Sequence, residues 1–157
     1  MFNKEYKVEK DDFGDIYVFS EISEHANLIE LDWREKLQFD SDARYDAPEK
    51  WQKIYSDGRF GTPDKIRKIF KIKGKVLDLG TGSGWLAAYI SKYEEVDEVY
   101  ALDFSTLTLK ENFPRIANWI GCDKDKIKRI VADFHLLPFK DNSLDVVLCD
   151  AALHHSD

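Results

Sequence analysis

Val76-Leu77-Asp78-Leu79-Gly80-Thr81-Gly82-Ser83-Gly84 carries the organising signal of this chain. A short apolar run with one acid in it meets three glycines at alternate positions. Trp85-Leu86-Ala87-Ala88-Tyr89-Ile90 then opens a helix in which Leu86, Ile90 and Tyr93 keep i, i+4, i+7 spacing. The pattern predicts a strand, a tight turn and a helix start. Glycines in such a turn let the backbone approach a ligand, because no Cβ stands in the way. The helix start adds unpaired N–H groups and partial positive charge. A small anionic or polar ligand is expected at this turn.

Two ligand classes fit poorly. A phosphate loop requires Gly-Lys-Ser/Thr after its turn, and Gly84-Trp85-Leu86 stands there instead. A dinucleotide fingerprint requires a third small residue, and counting from Gly80 that place falls on Trp85.

The chain after the turn continues as βαβα. Lys75 to Leu79 is the first strand of this unit, followed by a helix to about Tyr93. Val96 to Leu102 is a second strand, closed by Asp103. Ser105 can cap a helix carrying Leu107 and Leu109, which Pro114 kinks or breaks and Gly121 stops. Ile127 to Ala132 is a third strand closed by Asp133, and Leu144 to Cys149 a fourth closed by Asp150. Strands alternating with helices predict an α/β fold with a parallel sheet, helices on both faces and right-handed crossovers.

Residues 1–61 have a different texture and are read as an N-terminal α+β cap, with 62–157 as the Rossmann-like domain. Asp15 to Phe19 reads as a strand, and Asp46-Ala47-Pro48-Glu49 as a helix start placing Trp51, Ile54 and Tyr55 on one face. Thr62-Pro63 opens another helix expected to turn Ile66, Ile69 and Phe70 inward. Tyr45, Tyr55 and Phe60 are candidates for an aromatic lid near a cationic ligand.

Composition sets bounds. At 157 residues and 43% hydrophobic, one core and one main domain are the prior. A net charge of −7 argues against a dedicated nucleic-acid or membrane-surface protein. Only Cys122 and Cys149 are present, which fits a reducing, cytoplasmic setting. Charges at Lys4, Glu5 and Lys7 leave no signal peptide visible.

Asp78, Asp103, Asp133 and Asp150 each fall at or near the C-terminal end of a predicted strand. In open α/β sheets the ligand crevice lies outside those ends. A carboxylate at Asp103 can accept both hydroxyls of a ribose. His154 and His155 follow Asp150, but no Cys/His/carboxylate set with ligand spacing surrounds them, so no metal is expected. Either histidine, or Asp150, could act as a general base.

Asp78-x-Gly80-x-Gly82-x-Gly84 resembles motif I of the class I S-adenosylmethionine-dependent methyltransferases. Asp103 matches motif II, Asp133-Phe134 motif III, and Asp150-Ala151-Ala152-Leu153-His154-His155 motif IV. The stretch from Ala132 to Phe139, continued by Asp141 to Val147, looks like the small-molecule group that includes quinone-biosynthesis methylases. The resemblance implies S-adenosyl-L-methionine as cofactor. Gly80, Thr81, Gly82 and Gly84 would wrap its methionine part and Asp78 would help hold its amino group. Asp103, followed by Phe104, would take the ribose. Asp133 would take the adenine amino group, with Phe134 over the ring. Asp150 would lie beside the transferable methyl.

The resemblance covers residues 74–157 and stops after motif IV, where the family has further strands. The sequence therefore leads us to expect missing C-terminal strands and an open edge at the fourth strand, with self-association through it or continuation in a longer protein. The expected function is methyl transfer to O, N or C of a small-molecule acceptor. The alternative is a non-catalytic module that binds S-adenosylmethionine or S-adenosylhomocysteine.

Overall fold

The structure, a computed structural model, describes residues 1–21 and 61–153. Two N-terminal strands, β1 (Tyr6–Asp11) and β2 (Gly14–Phe19), form a hairpin. There follow α1 (Thr62–Ile66), β3 (Gly74–Leu79), α2 (Trp85–Ile90) and β4 (Val96–Asp103). A π-helical turn (Thr108–Asn112) leads into α3 (Phe113–Ile120), and β5 (Ile127–Val131) and β6 (Val146–Leu148) complete the order. The six strands form one sheet in the order β1-β2-β5-β4-β3-β6. Every pairing is parallel except that between β1 and β2.

Alternation along the strands divides the core. Val76, Val99 and Ala101 face a cluster with Leu86, Ile90, Phe113 and Ile116 of α2 and α3. Leu77, Leu79, Tyr100 and Leu102 face the other way, onto Phe19, Ile130 and Phe139, with Phe2 packed against them. Among the described residues the helices pack on the first face, and the second is covered by aromatic side chains and the N-terminus.

The four strands expected after residue 74 form where the sequence places them, within two residues. The N-terminal segment differs from the expected cap over its first part. The Tyr6–Phe19 hairpin extends the main sheet, with Ile16, Tyr17 and Val18 of β2 in parallel register with Arg129, Ile130 and Val131 of β5. The reason is an ion pair the sequence conceals. Arg129, buried in β5, makes a bidentate contact to Asp11 at 2.9 and 2.5 Å, and also donates to the carbonyls of Gly14 and Leu109. The turn of the hairpin is thereby fastened to the sheet.

α1 is shorter than its apolar period predicts. It ends at Ile66, and Ile69 and Phe70 are 78% and 68% exposed. Its inward contacts come from buried Pro63 and from Asp64, whose carboxylate accepts the hydroxyls of Tyr89 and Tyr93 at 2.7 and 2.6 Å. Ile72, past the helix, is the residue that enters the core. The second predicted helix divides as Pro114 requires: a π-helical turn precedes it and a new α-helix starts at Phe113. Gly121 ends that helix at φ 73. The helix start near Asp46, the proposed lid of Tyr45, Tyr55 and Phe60, and His154 and His155 lie outside the described residues.

Candidate functional site

The glycine turn sits where the ends of β3, β4 and β6 meet. Asp78, fully buried, accepts hydrogen bonds on Oδ2 from the Thr81 hydroxyl at 2.6 Å and the Ala87 N–H at 3.0 Å. It thus ties the strand end to the turn and to α2. The Thr81 N–H donates to Leu102 O at 2.8 Å, which binds the turn to β4. The Gly82 N–H donates to Oδ2 of Asp103 at 2.8 Å, while Oδ1 accepts the Ser105 N–H at 2.9 Å. Two amides therefore orient the Asp103 carboxylate at the mouth of the turn. Ser105 also caps as expected, its Oγ accepting the Thr108 N–H at 3.2 Å.

The three glycines differ in what a side chain would meet. At Gly80 (φ 68) a Cβ would lie 2.3 Å from Ala152 Cβ, and at Gly84 (φ 80) 2.1 Å from the Phe113 ring. Those two are glycine because the protein itself occupies the space. At Gly82 (φ 52) a Cβ would meet nothing among the described residues. The turn is therefore packed tightly on both sides and open at its tip, next to Asp103.

Asp133 caps the short 3₁₀ turn Phe134–Leu136, its Oδ1 accepting the His135 N–H at 2.9 Å and lying 2.9 Å from His135 Nδ1. Phe134 and His135 rings stack at 4.4 Å. Asp150 is exposed, with Oδ2 accepting the indole N–H of Trp85 at 3.2 Å. Next to it Ala151 holds φ 55, a conformation rare outside glycine and frequent at functional sites. The Ala132 N–H donates to Asp103 O at 3.1 Å, so the β4 and β5 ends are tied together. The structure thus gathers Asp78, Asp103 and Asp150 around one turn, with Asp133 beside them at the end of β5.

The Trp85–Asp150 contact joins residues 65 positions apart and has no local sequence signal beyond an aromatic residue at a helix start. Asp78 is buried, with its Oδ2 turned to Thr81 and the start of α2. Among the described residues no group of three or more His, Cys, Asp or Glu could hold a metal ion.

Burial pushes the Asp78 carboxyl up to about 7; the Thr81 and Ala87 hydrogen bonds oppose this, and the charges of Asp150 and Asp103 add to it. The folded state then holds a proton that the unfolded chain has already released. Stability falls as pH rises from the ordinary carboxylate range toward 7, and levels off above it. Asp78→Asn, neutral but still an acceptor, is expected to gain stability relative to the parent between about pH 5 and pH 8. Denaturation midpoints of both proteins across that range are the check. A constant difference would contradict an ionising, buried Asp78.

A protein-family model described as a methyltransferase domain matches residues 77–157. The human mitochondrial arginine-hydroxylase NDUFAF5 is 27% identical over 128 residues, which is 82% of this chain and 34% of that protein. The malonyl-[acyl-carrier protein] O-methyltransferase of Halorhodospira halophila is 30% identical over 83 residues, 53% of this chain and 26% of that protein. This chain thus spans about a third or less of those relatives. Among solved structures, YcgJ of Bacillus subtilis superposes with a TM-score of 0.50 at 28% identity, over 60% of this chain and 39% of that one.

Proposed function

The chain belongs to the methyltransferase-domain family, and from that membership we propose that it transfers a methyl group to an O, N or C atom of a small-molecule acceptor. The family's cofactor is S-adenosyl-L-methionine, which when bound supplies a methyl group activated by a sulfonium. The observation that carries the reading is Gly82. Among the described residues its Cβ side is open, and its N–H donates to Asp103, so this turn has a tip with room for a ligand and an acid held at its edge.

In this reading Gly80, Thr81, Gly82 and Gly84 present backbone to the methionine part. Asp103 accepts the ribose hydroxyls, a pair of charge-assisted hydrogen bonds, and Phe104 flanks it. Asp133 takes the adenine amino group, with Phe134 over the ring. Asp78 helps hold the amino group of the methionine part, and its Oδ2 also keeps Thr81 and the start of α2 in place. Asp150, with His154 and His155, supplies the polar groups near the acceptor, where a base can take a proton that leaves with methyl transfer. Alignment of the acceptor and exclusion of water are the remaining tasks of the protein.

The test has two parts. Calorimetry with S-adenosylhomocysteine should show saturable binding. Turnover should then be measured on a panel of phenols, amines and carbon acids. Binding together with turnover supports the reading. Binding with no turnover on any acceptor would leave the alternative, a cofactor-binding module without catalysis.

Among the described residues β6 has a neighbour on its β3 side alone, and Val147 is exposed. A strand edge of that kind pairs with other chains, and we propose a second copy as partner; light scattering across concentrations should show a dimer, and a monomer throughout would refute it. Cys122 and Cys149 are both free thiols, which fits a cytoplasmic, reducing setting. No described helix is long and apolar enough to cross a membrane.

A further inference from the structure

Lys65-Ile66-Arg67-Lys68-Ile69-Phe70-Lys71-Ile72-Lys73-Gly74-Lys75 holds six cations and no acid, in a chain whose net charge is −7. The structure turns most of this segment outward. Lys65, Lys68, Lys71 and Lys73 are exposed and make no hydrogen bond or ion pair among the described residues. Ile69 and Phe70 are the most exposed large apolar side chains among those residues, and Ile66 is partly open as well. The segment is nonetheless held in place. Ile72 enters the core, Arg67 lies over the Tyr93 ring at 4.3 Å and pairs with Glu95 at 3.2 Å. The Ile66 carbonyl accepts the amides of Ile69 and Phe70 at 2.9 and 2.8 Å. Two neighbouring acids are occupied, Asp64 with the hydroxyls of Tyr89 and Tyr93 and Glu95 with Arg67.

An exposed apolar patch on a fixed loop marks an interaction surface, and its chemistry narrows the partner. Lysines attract any anionic surface, whereas bidentate recognition of single phosphates or bases calls for arginine. The segment's one arginine is committed to Tyr93 and Glu95. Ile69 offers no ring on which a base could stack. Apolar side chains interleaved with lysines suit a surface that is anionic outside and hydrocarbon just beneath. We propose that residues 65–73 dock this protein on an anionic lipid bilayer. Ile69 and Phe70 enter the acyl boundary, and Lys65, Lys68, Lys71 and Lys73 rest among the headgroups. The acidic remainder of the chain does not prevent this, because charges farther than about 10 Å from the headgroups are largely screened in 0.1 M salt. The net charge that argued against a membrane surface averages this segment away. The proposal does not rest on the methyl-transfer reading.

The whole chain is floated with vesicles of phosphatidylcholine alone and with vesicles in which about one third of the lipid is phosphatidylglycerol. Binding to the anionic vesicles is expected, with little to the neutral ones, and it should weaken as salt is raised. Lys68→Gln combined with Lys71→Gln should reduce partitioning about thirtyfold, about fivefold for each charge. Ile69→Ser combined with Phe70→Ser should reduce it about tenfold or more. No binding to anionic vesicles overturns the proposal, and so does binding that either pair of substitutions leaves unchanged. Uptake of a single-stranded RNA without uptake of vesicles overturns it as well, and assigns the segment to nucleic acid.

If thermal melts show that a substituted chain is unfolded, Phe70→Trp decides, since it keeps an aromatic ring at an exposed position. Anionic vesicles whose acyl chains carry bromine should quench its emission more than that of the parent. Quenching equal to the parent's overturns the proposal.

Discussion

Asp11→Ala is expected to cost about 1.5–3 kcal/mol of folding stability, the worth of hydrogen bonds to a charged group, because it strands the buried Arg129 although Asp11 itself is exposed. The Arg129 guanidinium is 1% exposed and would keep two backbone carbonyls, Gly14 O at 3.0 Å and Leu109 O at 3.0 Å, without a counter-charge. The loss falls on the join between the N-terminal hairpin and β5, so amide exchange in β1 and β2 should accelerate first. Adding Arg129→Met to Asp11→Ala should recover much of the loss, because an apolar side chain of similar length needs no partner. The Arg129 hydrogen bond holds the Asp11 carboxyl below the ordinary carboxylate range. This contribution is therefore complete above that range and disappears as acid titrates the folded carboxylate. Urea midpoints for the parent, single and double variants are the measurement. A single-variant loss below about 1 kcal/mol, as for an exposed pair, would contradict it.

Gly84→Ala and Gly82→Ala are expected to fail in different ways. At Gly84 the new methyl would lie 2.1 Å from the ring of Phe113, which is fully buried at the start of α3. Overpacking costs about 1–3 kcal/mol and a non-glycine residue at positive φ about 1–3 kcal/mol. A destabilisation of about 3 kcal/mol follows, and Phe113→Leu in the same chain should relieve part of it. At Gly82 the methyl meets no described atom, so only the backbone term applies, about 1 kcal/mol. There the damage should appear as weakened S-adenosylhomocysteine binding in a folded protein. Thermal melts and calorimetry on both variants make the comparison. Equal loss of stability at the two positions would remove the reason to regard Gly82 as the ligand-facing glycine.

The sequence made the βαβα portion legible because parallel strands buried on both faces read as apolar runs, and each of these ends in an acid. Val76 to Leu79 and Val99 to Leu102 are buried throughout. The four acids were visible for the same reason. β1 was not legible: Tyr6-Lys7-Val8-Glu9-Lys10-Asp11 is exposed along its length and looks like solvated chain. What holds it is Arg129, which in Lys126-Ile127-Lys128-Arg129 reads as one more cation at a strand start. The apolar period of Ile66, Ile69 and Phe70 misled, because periodicity describes a face and says nothing of whether a surface stands opposite. The Trp85–Asp150 bond was hidden by its long sequence separation.

The central claim is that the Gly82 turn and Asp103 hold S-adenosylmethionine, and one titration tests it most directly. S-adenosylhomocysteine is added calorimetrically to the parent protein and to Asp103→Asn, with melts confirming that both are folded. The parent should bind saturably, and the variant should bind more weakly by roughly 1.5–3 kcal/mol, the worth of hydrogen bonds to a charged group. A folded parent that takes up no S-adenosylhomocysteine, or a variant with the parent's affinity, would contradict it.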